Sequence, residues 1–114
     1  MKNLWPESAK AFELEGATVP VFTYMENGIN VIAFNSSTCV PPEPMVNAML
    51  ALKHLNDENT KVVMINHKNP VGLIAKVGKE FNIETEELSA DLIKLAFAYK
   101  VGSKPDLSNP SCAG

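Results

Sequence analysis

Four residues beside two proline-rich turns have side chains able to do chemistry. Cys39 and Glu43 belong to the run Cys39-Val40-Pro41-Pro42-Glu43-Pro44-Met45, and Asn66 and His67 precede Asn69-Pro70. Proline has no N–H to lose in the first helical turn and its φ is already helical, so Pro44 suits the start of a helix. Glu43 then falls where unpaired N–H groups and the positive end of the helix dipole favour an anion. His67 has two readings: it hydrogen-bonds to its turn and fixes the loop, or it binds an anion, a metal or a partner residue. Glu43, His67 and Cys39 are of types that could hold zinc or iron, although no spacing signature singles them out. The proline run also has a plain reading as a stiff helix start.

These residues need elements to position them. Residues 19–25 and 29–34 are rich in β-branched and aromatic side chains, and Asn27-Gly28 between them tolerates the positive φ values of a type I′ turn, so a hairpin is expected. From residue 44 to 55 apolar residues recur at helical spacing, with His54 read as a surface or cap histidine in the last turn. Residues 61–66, Lys-Val-Val-Met-Ile-Asn, have the look of a strand buried on both faces. A second helix is expected from Pro70, with Asn69 as its N-cap, to about Phe81, placing Val71, Leu73, Ile74, Val77 and Phe81 toward the core. Gly72 and Gly78 weaken it, so packing must support it. Over residues 92–101 the large β-formers Ile93, Leu95, Phe97, Tyr99 and Val101 alternate with smaller or polar residues, which predicts a strand paired with residues 83–88. One or two helical turns are expected around residues 8–14.

The order is therefore β-β-α-β-α-β-β: an α/β (α+β) two-layer sandwich with two helices on one face of a mixed four- to five-stranded sheet. Residues 1–17 read as a lead-in, 18–101 as a single domain and 102–114 as a flexible tail. Because the two strand-to-helix turns follow strands expected to be neighbours, Pro42, Glu43, Pro44, Asn66 and His67 should share one edge, where α/β proteins usually bind ligands.

Composition narrows the functions. With 114 residues, 46% hydrophobic and 20% charged, the chain has the make-up of an ordinary globular domain. No apolar run approaches the roughly 18 to 20 residues of a membrane span and no signal peptide is evident, so cytoplasmic residence is expected. All ten basic residues are lysine and net charge is −3. Without arginine's planar fork, nucleic acid is an unfavoured partner. Cys39 and Cys112 lie far apart and form no CxxC, which speaks against a structural zinc site or a disulfide. Glu84, Glu86 and Glu87 read as a solvated strand surface. Met45, Met49 and Met64 read as core residues. No Ser/His/Asp set, Gly-rich phosphate loop or HExxH stands in a recognisable context.

From residue 29 to 100 the chain resembles the TusA/SirA-like α/β superfamily: a strand, Pro-Pro-Glu-Pro-Met at 41–45, then helix, strand, helix and terminal hairpin. It is most similar to a branch of unknown function that carries Pro-Pro-Glu-Pro-Met and, one strand later, His-x-x-Pro-x-x-Leu, here His67-Lys68-Asn69-Pro70-Val71-Gly72-Leu73. In the sulfur-carrier branch a cysteine directly precedes Pro-x-Pro and carries a persulfide. Here Pro41 takes that place and Cys39 stands two residues earlier, an offset that matters because a helix N-terminus activates a thiolate only within its first turn. The expected function is a non-enzymatic binding or regulatory module, without cofactor, that uses this edge to recognise a protein partner or a small ligand, with no nucleic-acid or membrane role. The alternatives are a sulfur relay through Cys39, the one activity the resemblance suggests, and a metal site at Glu43 and His67.

Overall fold

The computed structural model describes residues 5–40, 43–55 and 57–99. The elements are β1 (Lys10–Ala11), β2 (Val21–Glu26), β3 (Ile29–Asn35), α1 (Glu43–Leu52), β4 (Thr60–Asn66), α2 (Val71–Val77), β5 (Phe81–Ser89) and β6 (Leu92–Tyr99). This is an α+β architecture with a six-stranded mixed sheet in the order β1-β2-β3-β4-β6-β5. Asn27 (φ 53°) and Gly28 (φ 80°) make the tight β2–β3 turn, both with the positive φ that a type I′ hairpin requires. β3 and β4 pair in parallel from Asn30↔Thr60 to Asn35↔Ile65, with α1 as the crossover. Their carboxyl ends therefore meet at one edge of the sheet, and the chain leaves each of them toward a helix.

Two rows of side chains cross the central strands on one face: Ile32, Val62 and Phe97, then Phe34, Met64 and Leu95. They form a single buried cluster with Ala48, Met49, Ala51 and Leu52 of α1 and with Leu73 and Val77 of α2. Both helices thus pack on the same face, whose apolar burial is the main stabilising term. The opposite face carries a smaller cluster, Val31, Ala33 and Val63, with Trp5 and Tyr24 against it. Trp5 lies 6.4 Å from the ring of Phe22 and 6.5 Å from that of Tyr24. Beside it Lys61 pairs with Glu26 at 2.9 Å, which holds the Glu26 carboxyl below its usual range.

Several expectations need correction. The sheet has six strands, not four or five, because the lead-in supplies β1 where helical turns were expected at residues 8–14. Lys10 and Ala11 pair with Thr23 and Phe22, and the Phe12 N–H donates to the Val21 carbonyl at 2.7 Å. Phe12 and Leu14 pack on the core while Glu13 and Glu15 are exposed, a period of two that suits extended chain. The first helix ends at Leu52 rather than 55, leaving His54 exposed beyond it, edge-on to Phe12 at 5.3 Å. The second helix ends at Val77 rather than near Phe81. Gly78 closes it through an N–H bond to the Ile74 carbonyl at 2.8 Å, and the buried Phe81 opens β5 instead. Val71 is 70% exposed rather than core. The expected tail at 102–114 lies outside the described residues.

Candidate functional site

The first turn follows β3 and consumes its polar groups. The Asn35 Oδ1 accepts the Ser37 N–H at 2.9 Å, and the Cys39 N–H donates to the Ser36 carbonyl at 3.0 Å. Ser36 is fully buried; its hydroxyl lies 3.0 Å from the Ile65 carbonyl and 3.1 Å from Asn66 Oδ1, so its one proton ties the ends of β3 and β4 together. Glu43 opens α1, where the dipole favours its charge. Its carboxylate accepts the Thr18 hydroxyl at 3.0 Å. Thr18 in turn accepts the Asn47 side-chain amide at 3.0 Å and donates its N–H to Asn47 Oδ1 at 2.9 Å. Asn47, Thr18 and Glu43 thus form one directed chain that pins the segment before β2 onto α1. Burial pushes the Cys39 thiol up, and the nearby Glu43 carboxylate pushes it the same way. The proton is held on sulfur, which is the opposite of thiolate activation.

The second turn follows β4 and is built mainly by backbone. Asn66 is buried, its Oδ1 toward Ser36 and its side-chain amide donating to the Lys68 carbonyl at 2.9 Å. Pro70 (φ −80°, ψ 78°) sits at the centre of an inverse γ-turn closed by the Val71 N–H on the Asn69 carbonyl at 2.9 Å. Pro70 is the N-cap and no side chain bonds there, so Asn69 does not cap the helix as expected. His67 is half-buried, and its Nδ1 is closed off from solvent with no hydrogen-bond partner. Of the two readings of His67, a hydrogen bond to its own turn is not made through Nδ1. Such an atom forgoes about 1–3 kcal/mol of polar solvation.

Between the two turns lies a cleft of about 480 Å³, lined by Pro44 and Met45 from the start of α1 and by the continuous stretch from Asn66 to Leu73. Met45 is therefore a half-buried cleft wall as well as a core neighbour. Of the residues expected at this edge, Pro44, Asn66 and His67 line the cleft together. Glu43 is turned instead to Thr18 and Cys39, and Pro42, with Pro41, lies outside the described residues. Among the described residues no three of His, Cys, Asp and Glu come together as metal ligands, so Glu43, His67 and Cys39 do not form a set. Cys112 lies outside the described residues.

Ser36, Asn47 and Thr18 were not anticipated. Asn47 did leave a signal in the sequence: it stands three residues after Pro44 and four before Ala51, a polar side chain on the buried side of an apolar helix. No described helix is long and apolar enough to cross a membrane.

Fold and site together define an α+β protein whose helix starts enclose a small, mostly apolar cleft. Compared with known proteins, the chain matches no family model, no curated protein and no solved structure.

Proposed function

We propose that this protein is a non-enzymatic binding or regulatory module that holds a small ligand or a partner's side chain in the cleft beside His67. The observation that carries the reading is the buried Nδ1 of His67, a residue of the cleft wall, which lacks a hydrogen bond while its neighbour Asn66 spends both polar atoms on the fold. Buried polar groups left unpaired in a folded chain call for an explanation, and an incoming group is a direct one. Val40, Val46 and Val71, exposed by 65%, 43% and 70% near the two helix starts, add apolar contact surface at the same end. A two-layer sandwich and a TusA/SirA-like ancestry belong to this reading, and the run of elements from β3 to β6 supports both. So does a cytoplasmic setting, on composition alone. A sulfur relay through Cys39 is disfavoured by the raised thiol.

The test is an amide-resolved NMR screen of the whole chain against a panel of fragments and short peptides. Binding should shift amides at 45–46, 66–69 and 71–73. A panel that leaves those amides still while moving another region would refute the reading.

A further inference from the structure

We infer that the cleft selects a small carboxylic acid with an apolar body, an inference that rests on the binding reading above and adds the ligand's chemical class. The walls are apolar, formed by Pro44, Met45, Pro70, Val71 and Leu73, and the volume of about 480 Å³ falls in the range of small-molecule sites. Among the described lining residues the ionisable side chains are His67 and Lys68, and no carboxylate faces them. An anion entering the cleft therefore meets donors of compatible charge and no like charge, although the chain as a whole carries −3.

The polar groups still free to bond narrow the choice further. Asn66 is occupied at both ends, by Ser36 and by the Lys68 carbonyl, so the cleft does not offer that amide to a ligand. That leaves the His67 ring, whose Nδ1 bonds to nothing, the exposed side-chain amide of Asn69 and the exposed ammonium of Lys68. His67 lines the cleft, where a carboxylate oxygen can accept from a ring N–H. Lysine has no acceptor, so its ammonium is the charged donor of the site. Bonds from such donors to a carboxylate are charge-assisted and about twice as strong as neutral ones. A neutral amide of the same shape fills the apolar walls equally well but loses this term.

The experiment is an NMR titration of the intact protein with benzoate, hexanoate and indole-3-acetate, each beside its neutral amide, at constant ionic strength. Each acid that fits should shift amides 66–69 and 71–73 saturably and bind about tenfold tighter than its amide. Lys68→Gln, a change at an exposed site, should remove most of that preference, and His67→Phe should remove the rest while the amide's binding persists. Equal binding of acid and amide in the cleft would overturn the inference and leave the binding reading intact. Acids and amides that all leave the cleft unmoved would overturn the inference, and a silent fragment panel would then remove the binding reading as well.

Discussion

After β3 the chain enters α1 through side chains that bond within the fold: Asn35 to the Ser37 N–H, Ser36 to the end of β4, and Glu43 through Thr18 to Asn47. After β4 it enters α2 through a proline γ-turn with no side-chain cap, and His67 keeps an unbonded ring nitrogen. The two turns read alike in sequence, each a strand end followed by a proline-led helix. Their difference separates scaffold from site. The first turn, with its conspicuous Pro-Pro-Glu-Pro run, spends its polar groups on stability, whereas the plainer second turn leaves one unspent next to a cleft.

Substitutions can break this contrast, and the largest effects belong to the polar side chains the fold uses. Asn66→Ala should cost about 2–4 kcal/mol in urea denaturation, because it deletes a buried side chain together with its bonds to the Ser36 hydroxyl and the Lys68 carbonyl. Asn47→Ala removes both links to Thr18 and should cost about 2 kcal/mol. If either variant kept full stability, the polar side chains that tie β3, β4 and α1 together would not be the scaffold.

The two glycines of the second helix give the next contrast. A Cβ on Gly78 would stand 2.7 Å from the Ile74 carbonyl oxygen, so Gly78→Ala should destabilise by about 1–3 kcal/mol. At Gly72 the same atom meets only the Met45 methyl at 3.5 Å. Gly72→Ala should therefore be neutral or stabilising by up to about 1 kcal/mol, since alanine favours the helix. Thermal melts of the pair would show whether α2 is tight at its end and roomy at the cleft.

A smaller effect concerns Cys39. Its alkylation should set in at higher pH than that of a free thiol, and Glu43→Gln should move the onset down and speed the reaction at neutral pH, with burial still holding it above the ordinary value. The linkage has a definite sign. A thiol raised in the folded state adds stability that is full below its unfolded pKa and is lost as pH rises through the folded one, so the contribution fades on the alkaline side. Alkylation of the wild type as fast as that of the unfolded chain would show that Glu43 does not hold the proton.

Much of the fold was legible in the chain. Asn27-Gly28 specified its turn, and the alternation of Ile93, Leu95 and Phe97 outweighed the helix propensity around it to specify β6. The boundary of α2 was not legible, because Phe81 points into the core equally well as a late helix residue or as the first residue of a strand. Nor was β1, since two residues, one of them a lysine, carry no readable period. At the site, position was legible and role was not. Pro44, Asn66 and His67 do share a cleft, but Asn66 is a clamp between strand ends, and only long-range partners such as Ser36, 30 residues away, could reveal that. Glu43 was placed at the helix start, yet its direction depends on Thr18, which no local pattern marks.

The central claim is that the fold makes no use of the His67 ring nitrogen, and the most direct measurement is the unfolding free energy of His67→Ala beside the wild type. Equality within about 0.5 kcal/mol is expected, or a slight gain from removing an unpaired buried atom. A loss of about 2 kcal/mol or more would contradict it, making His67 part of the scaffold like Asn66.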